Sequence, residues 1–156
     1  MKAVLLFALA LLLLTLQTTL QDVVSVFGAV PDFLLLFLVA TALKFGPVAG
    51  VWCGLLLGIA QDAYAASGFG ADAMAMTIVG YVVGFAEEQV LKLDAITKIV
   101  LLALAFFGRF LLHGLFAGTE LPQIGALLLE GGLLQGLLTL VLGSVWFVAF
   151  SRDRQV

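Results

Sequence analysis

The residues of this sequence that could do chemistry are few, and they lie within apolar stretches: Asp62, Arg109, His113 and Glu130. An ionisable side chain at mid-bilayer costs about 2.5–3.5 kcal/mol on insertion scales, so each asks for a partner or a function. Arg109 and His113 are one helical turn apart and face the same way. Arg109 follows Lys98 by eleven residues, which places it about 16 Å from that end of a helix. Glu130 follows Pro122 by eight residues, about 12 Å from the opposite end. In a hydrocarbon core of about 30 Å the two depths nearly coincide, so an Arg109–Glu130 ion pair between consecutive antiparallel helices is expected. Asp62 lies nearer the outer face, and His113 could join the pair. Three uses are open for this cluster of Asp62, Arg109, His113 and Glu130. It could relay protons or ions, fix helix register as a structural salt bridge, or form a polar lining turned toward a partner. An arginine stays charged and is a poor carrier in a relay.

Other chemistry finds little material. Cys53 is the only cysteine and sits in an apolar run, which offers no disulfide framework and no metal spacing. His113 is the only histidine, so no zinc set forms around it. The glycines are not followed by a basic residue at the spacing of a phosphate loop, and no nucleophile–base set is assembled. No enzyme activity, metal or cofactor is expected.

The elements that must position these residues follow from composition. Of 156 residues, 63% are hydrophobic and 11% charged, with mean hydropathy +1.24. A soluble domain carries about a quarter charged residues, so lipid must be the solvent for much of this chain. The formal net charge of −3 and the lack of a basic run set nucleic acid aside. A single transmembrane domain over 1–156 is expected, with no room for a separate soluble module.

Apolar segments run over 3–20, 32–43, 47–66, 71–86, 96–117 and 124–150. The first begins like a signal peptide, with Lys2 before an apolar stretch, but it continues to spanning length with no small-residue cleavage site. It is read as a retained span. The second, at about 18 Å, is short for a crossing. Charge asymmetry decides for a crossing. With six spans and both termini cytoplasmic, the inner ends hold Lys2, Lys44, Lys92, Lys98, Arg152 and Arg154. The outer ends then hold Asp22, Asp32, Asp62, Asp72 and Glu120, in keeping with the positive-inside rule. The fold class is therefore an all-α, six-span transmembrane helix bundle. Its short second helix is expected inside the bundle, with the approach over 28–31 dipping below the outer surface.

Gly46, Gly50, Gly54 and Gly58, spaced by four, line one helical face. Close backbone approach is a main source of helix association in lipid, and this face can dock a partner's helix or pack against the chain's own neighbour. The Gly80/Gly84 and Gly132/Gly136 pairs repeat the spacing. Pro31, Asp32, Lys44 and Pro47 bracket the short helix: Asp32 as a helix cap, Pro47 in a first turn after Lys44.

In that order, Pro31 and Asp32, the Leu-rich run 34–36, Lys44, Gly46 and Pro47, Gly50, Gly54, Gly58 and Asp62 resemble the rod shape-determining MreD family. Ser67, Gly68, Gly70, Gly80 and Tyr81 continue the likeness, and Gln61 departs from it. The resemblance implies a non-enzymatic scaffold of the bacterial cell-elongation complex in the cytoplasmic (inner) membrane, acting in rod-shape determination and peptidoglycan synthesis. Its implied partners are a single-span MreC-like protein and, indirectly, MreB and the peptidoglycan synthases; a homodimer is a further option. It also implies a bundle similar to the substrate-binding subunits of energy-coupling-factor vitamin transporters. The competing function is accordingly a small-molecule-binding transporter subunit.

Overall fold

A computed structural model describes residues 30–64, 69–89 and 95–151, together with Leu12 and Thr15. Apart from those last two, the expected first span lies outside the described residues, as do Lys2, Asp22, Ser67, Gly68, Lys92, Arg152 and Arg154. Among the described residues the secondary structure is helical throughout, with no strand.

Helix α1 (Phe33–Phe45) is apolar around its whole circumference, the pattern of a helix enclosed by others. Leu34, Leu35, Leu38, Val39 and Ala42 are buried. It stops at Gly46, whose φ of +86° turns the chain while its N–H donates to the Ala42 carbonyl at 2.9 Å. Pro47 then opens α2 (Pro47–Asp62), occupying a first-turn position that needs no N–H donor. Helix α2 ends at Asp62, short of the expected 66, and the Asp62 carboxylate reaches the start of the next helix.

Helix α3 (Ala71–Gln89) runs past the expected end at 86, and α4 (Ala95–Phe116) is close to the 96–117 expectation. Gly118 at φ +74° closes α4 with paired bonds: the Gly118 N–H to the Leu115 carbonyl at 3.2 Å and the Thr119 N–H to the Gly114 carbonyl at 2.9 Å. The last segment starts earlier than 124, with Pro122 in its first turn. It runs as α5 (Leu121–Leu127), a π-helical turn (Leu128–Gly132) and α6 (Leu133–Ser151).

Helices α1, α2 and α3 form a tight sub-bundle in which the two glycine stripes meet. A side chain at Gly50 would overlap the Gly80 carbonyl, one at Gly54 the Met76 carbonyl, and one at Gly58 the Ala73 backbone. Gly84 in turn lies against Pro47. Of the two uses open for the face of Gly46, Gly50, Gly54 and Gly58, the structure shows packing against the chain's own neighbour. Gly50, Gly54 and Gly58 are taken by α3 of the same chain, and Gly46 is closed over by Glu88, whose Oε1 lies 2.8 Å from where a Gly46 Cβ would stand. With no hydrophobic drive between helices in lipid, the backbones approach until van der Waals contact is continuous, and small residues on both sides allow it.

Helices α4 and α6 pack beside this sub-bundle in antiparallel register. Phe110 lies on Gly132, Phe106 on Gly136 and Leu102 on Gly143. Leu102 and Phe106 also reach the core formed by Leu35, Leu38 and Met76. The segments Ile96–Phe116 and Leu121–Trp146 are long and apolar enough to cross a membrane; α1 and α2 are apolar but shorter. Large apolar side chains are exposed on each long helix, among them Trp52, Leu56, Phe85, Leu104, Leu111 and Leu137, as expected of helices whose solvent is lipid.

Candidate functional site

The polar centre lies where the starts of α1 and α3 and the end of α2 converge on the C-terminal half of α4. Asp32, fully buried, is the α1 N-cap: one carboxylate oxygen accepts from the Leu35 N–H at 2.9 Å. Its other oxygen pairs with Arg109 Nη1. Its own backbone N–H donates to Thr139 Oγ1 at 2.9 Å, and that hydroxyl donates to the Gln135 carbonyl at 2.8 Å. A single aspartate thus ties α1 to both α4 and α6.

Asp62, at the last residue of α2, is also buried, and its carboxylate straddles the start of α3. It accepts from the Asp72 N–H at 3.1 Å and the Ala73 N–H at 2.9 Å. Two of the unpaired donors of a helix N-terminus are satisfied from the neighbouring helix, where the positive end of the dipole also favours an anion. Asp72 then turns its own carboxylate to Arg109 Nη2 at 2.8 Å. His113 Nδ1 lies 3.2 Å from the same Asp72 oxygen, within ion-pair reach but not aligned for a hydrogen bond. The Arg109 side chain is 12% exposed. Its planar fork serves two acids from two helices at once, a geometry that a lysine point charge cannot reproduce.

The Arg109–Glu130 pair expected from depth is corrected. Arg109 is held by Asp32 and Asp72, while Glu130, in the π turn, is exposed and takes no part in the centre. Arg109 and Glu130 lie at similar heights along the paired helices, but their side chains point to different faces. Asp62, Arg109 and His113 do come together, with Asp62 acting through backbone N–H groups. Asp32 caps α1 as expected and also pairs with Arg109. Lys44 lies in the last turn of α1 and Pro47 in the first of α2, while Pro31 precedes the Asp32 cap and its carbonyl accepts from the Phe33 N–H at 3.1 Å.

Sequence reasoning missed Asp32, Asp72 and Thr139 as members of the centre. A signal for Asp32 was available: α1 rises about 18 Å over its length, close to the roughly 16 Å from Lys98 to Arg109, so its start must sit at Arg109 rather than at the surface. Seven more residues carry α4 about 10 Å beyond Arg109. For Thr139, a lone hydroxyl in an apolar helix, no pattern distinguishes a bond across the bundle from one to its own helix. At the opposite end Lys98 Nζ lies 3.8 Å from Glu87 Oε1, which links the start of α4 to the end of α3.

Apolar helices with hydrophobic side chains turned outward, joined by a largely buried charge centre, define a helical membrane protein. The chain matches the family described as rod shape-determining protein MreD over residues 1–153, and it belongs to that family. It is therefore a membrane protein of the rod-shape-determining class. No curated protein and no solved structure matches it.

Proposed function

We propose that this chain is a non-enzymatic scaffold of the bacterial cell-elongation complex, crossing the cytoplasmic membrane six times with both termini inside. Through a single-span MreC-like partner it would link MreB to peptidoglycan synthesis. The observation that carries the scaffold reading is the use made of the buried charges. Asp32 and Asp62 cap helices, Arg109 bridges two of them, and Asp72 completes the bridge. Each group has a structural task, which favours the register-fixing bridge over a relay. The topology is supported by the basic residues: Lys44 and Lys98 lie at one end of the described helices, and the turn after α4 at the other end, residues 117–120, holds no Lys or Arg.

Complementation tests this reading. Expressed in rod-shaped cells depleted of their own family member, the chain is expected to restore rods and to co-purify with the MreC-like protein. Persistently round cells, despite normal membrane insertion, would count against it. The competing carrier-subunit reading expects ligand-dependent thermal stabilisation of the purified chain. No observation favours it.

A further inference from the structure

One carboxylate in the membrane-spanning region is left over. Glu130 is exposed, and among the described residues it has no hydrogen-bond or ion-pair partner, whereas Asp32, Asp62 and Asp72 are all engaged. Its depth follows from the packing register. Phe110 lies on Gly132 and Phe106 on Gly136, so Glu130 stands opposite Leu112, between Arg109 and His113 along α4. That is about 20 Å from Lys98, inside a core of about 30 Å. Glu130 belongs to the π turn Leu128–Gly132, whose extra residue shifts the helical phase. Gly132 and Gly136 remain against α4 while Glu130 is turned away from it.

The surroundings of Glu130 suit a helix. Leu127, Leu129, Leu133 and Leu137 are exposed around it. A Cβ added at Gly125 or Gly131 would meet nothing within 4 Å, so a neighbouring backbone can come close there. We propose that this face receives a transmembrane helix of another protein that brings a Lys or Arg side chain to the depth of Glu130. Three other occupants fit the charge less well. Lipid tails leave the carboxylate unpaired. A two-fold pairing of two copies through this face brings two Glu130 carboxylates together. The chain's own residues 3–21 contain no Lys, Arg or His.

The inference rests on the scaffold reading and names the contact through which the single-span partner would be held. Its test is co-purification of the full chain with the MreC-like protein in mild detergent, in a Cys53→Ala background. Glu130→Lys is expected to lower the recovered partner at least tenfold, and changing the partner's own basic residue to Glu should restore it. Leu133→Cys is expected to crosslink to a cysteine placed in the partner's span. Unchanged recovery with Glu130→Lys, a partner span without Lys or Arg in its outer half, or crosslinks only to a second copy or to residues 1–29 would each overturn this contact. If the unmodified chain recovers no partner, both the contact and the scaffold reading fail. If it does and Glu130→Lys changes nothing, only the contact fails.

Discussion

Arg109 is the residue on which the polar centre depends. Removing one partner of a buried ion pair leaves an uncompensated charge and costs about 3–5 kcal/mol, more than the pair itself contributes to stability. Arg109→Gln should therefore lower thermal stability in detergent sharply, as read by the loss of monodisperse protein after heating. Arg109→Lys should rescue only in part, since one ammonium cannot span the Asp32 and Asp72 oxygens as the fork does. The double variant Arg109→Gln/Asp72→Asn should be less destabilised than the sum of the single ones, because residues in contact are not additive. Additive losses would argue that the bridge is not a unit. Thr139→Val changes little volume but leaves the buried Asp32 N–H without its acceptor, with an expected loss of about 1–3 kcal/mol in the same assay.

Among the elements, the α2–α3 pair sets the architecture. Gly54→Leu forces a side chain into the Met76 carbonyl, and no rotamer avoids backbone. The expected outcome is membrane-inserted but aggregated protein on size exclusion. Gly108→Leu, on α4 where an added Cβ meets nothing within 4 Å, should behave like the unmodified chain. Equal behaviour of the two variants would remove the argument for glycine-mediated closure. Asp62→Ala withdraws the acceptor for two N–H groups of α3 and should destabilise by about 1–2 kcal/mol, a helix-cap effect. The short α1 adds little length but much burial, since it is enclosed by α2, α3, α4 and α6.

For the whole molecule, the orientation is the property that reaches furthest. In a Cys53→Ala background, Thr119→Cys on the turn after α4 should react with a membrane-impermeant thiol reagent added outside intact cells. Phe45→Cys, beside Lys44 and Gly46, should react only after permeabilisation. The reverse pattern would invert the proposed topology and place the basic ends outside.

Several features could be read from the sequence alone. Hydropathy gave the described helices to within a few residues, since the need to satisfy backbone groups in lipid leaves helix as the default. The turn at Gly46 and Pro47 was legible for the same local reason, as was the capping role of Asp32. The order of small residues and turns carried the family likeness. Side-chain partnership was not legible. Arg109 and Glu130 agree in depth, yet depth is one coordinate and the rotation of each helix about its axis is another. That rotation is set by which faces pack: Gly50, Gly54 and Gly58 of α2 on the α3 backbone at Gly80, Met76 and Ala73, and Phe106 and Phe110 on Gly136 and Gly132 between α4 and the last helix. The π turn adds a phase shift that no regular period anticipates. The sequence determined which charges must be reconciled with an apolar surround. Only the packed bundle decided that Asp32 and Asp72 answer Arg109, while Glu130 faces outward.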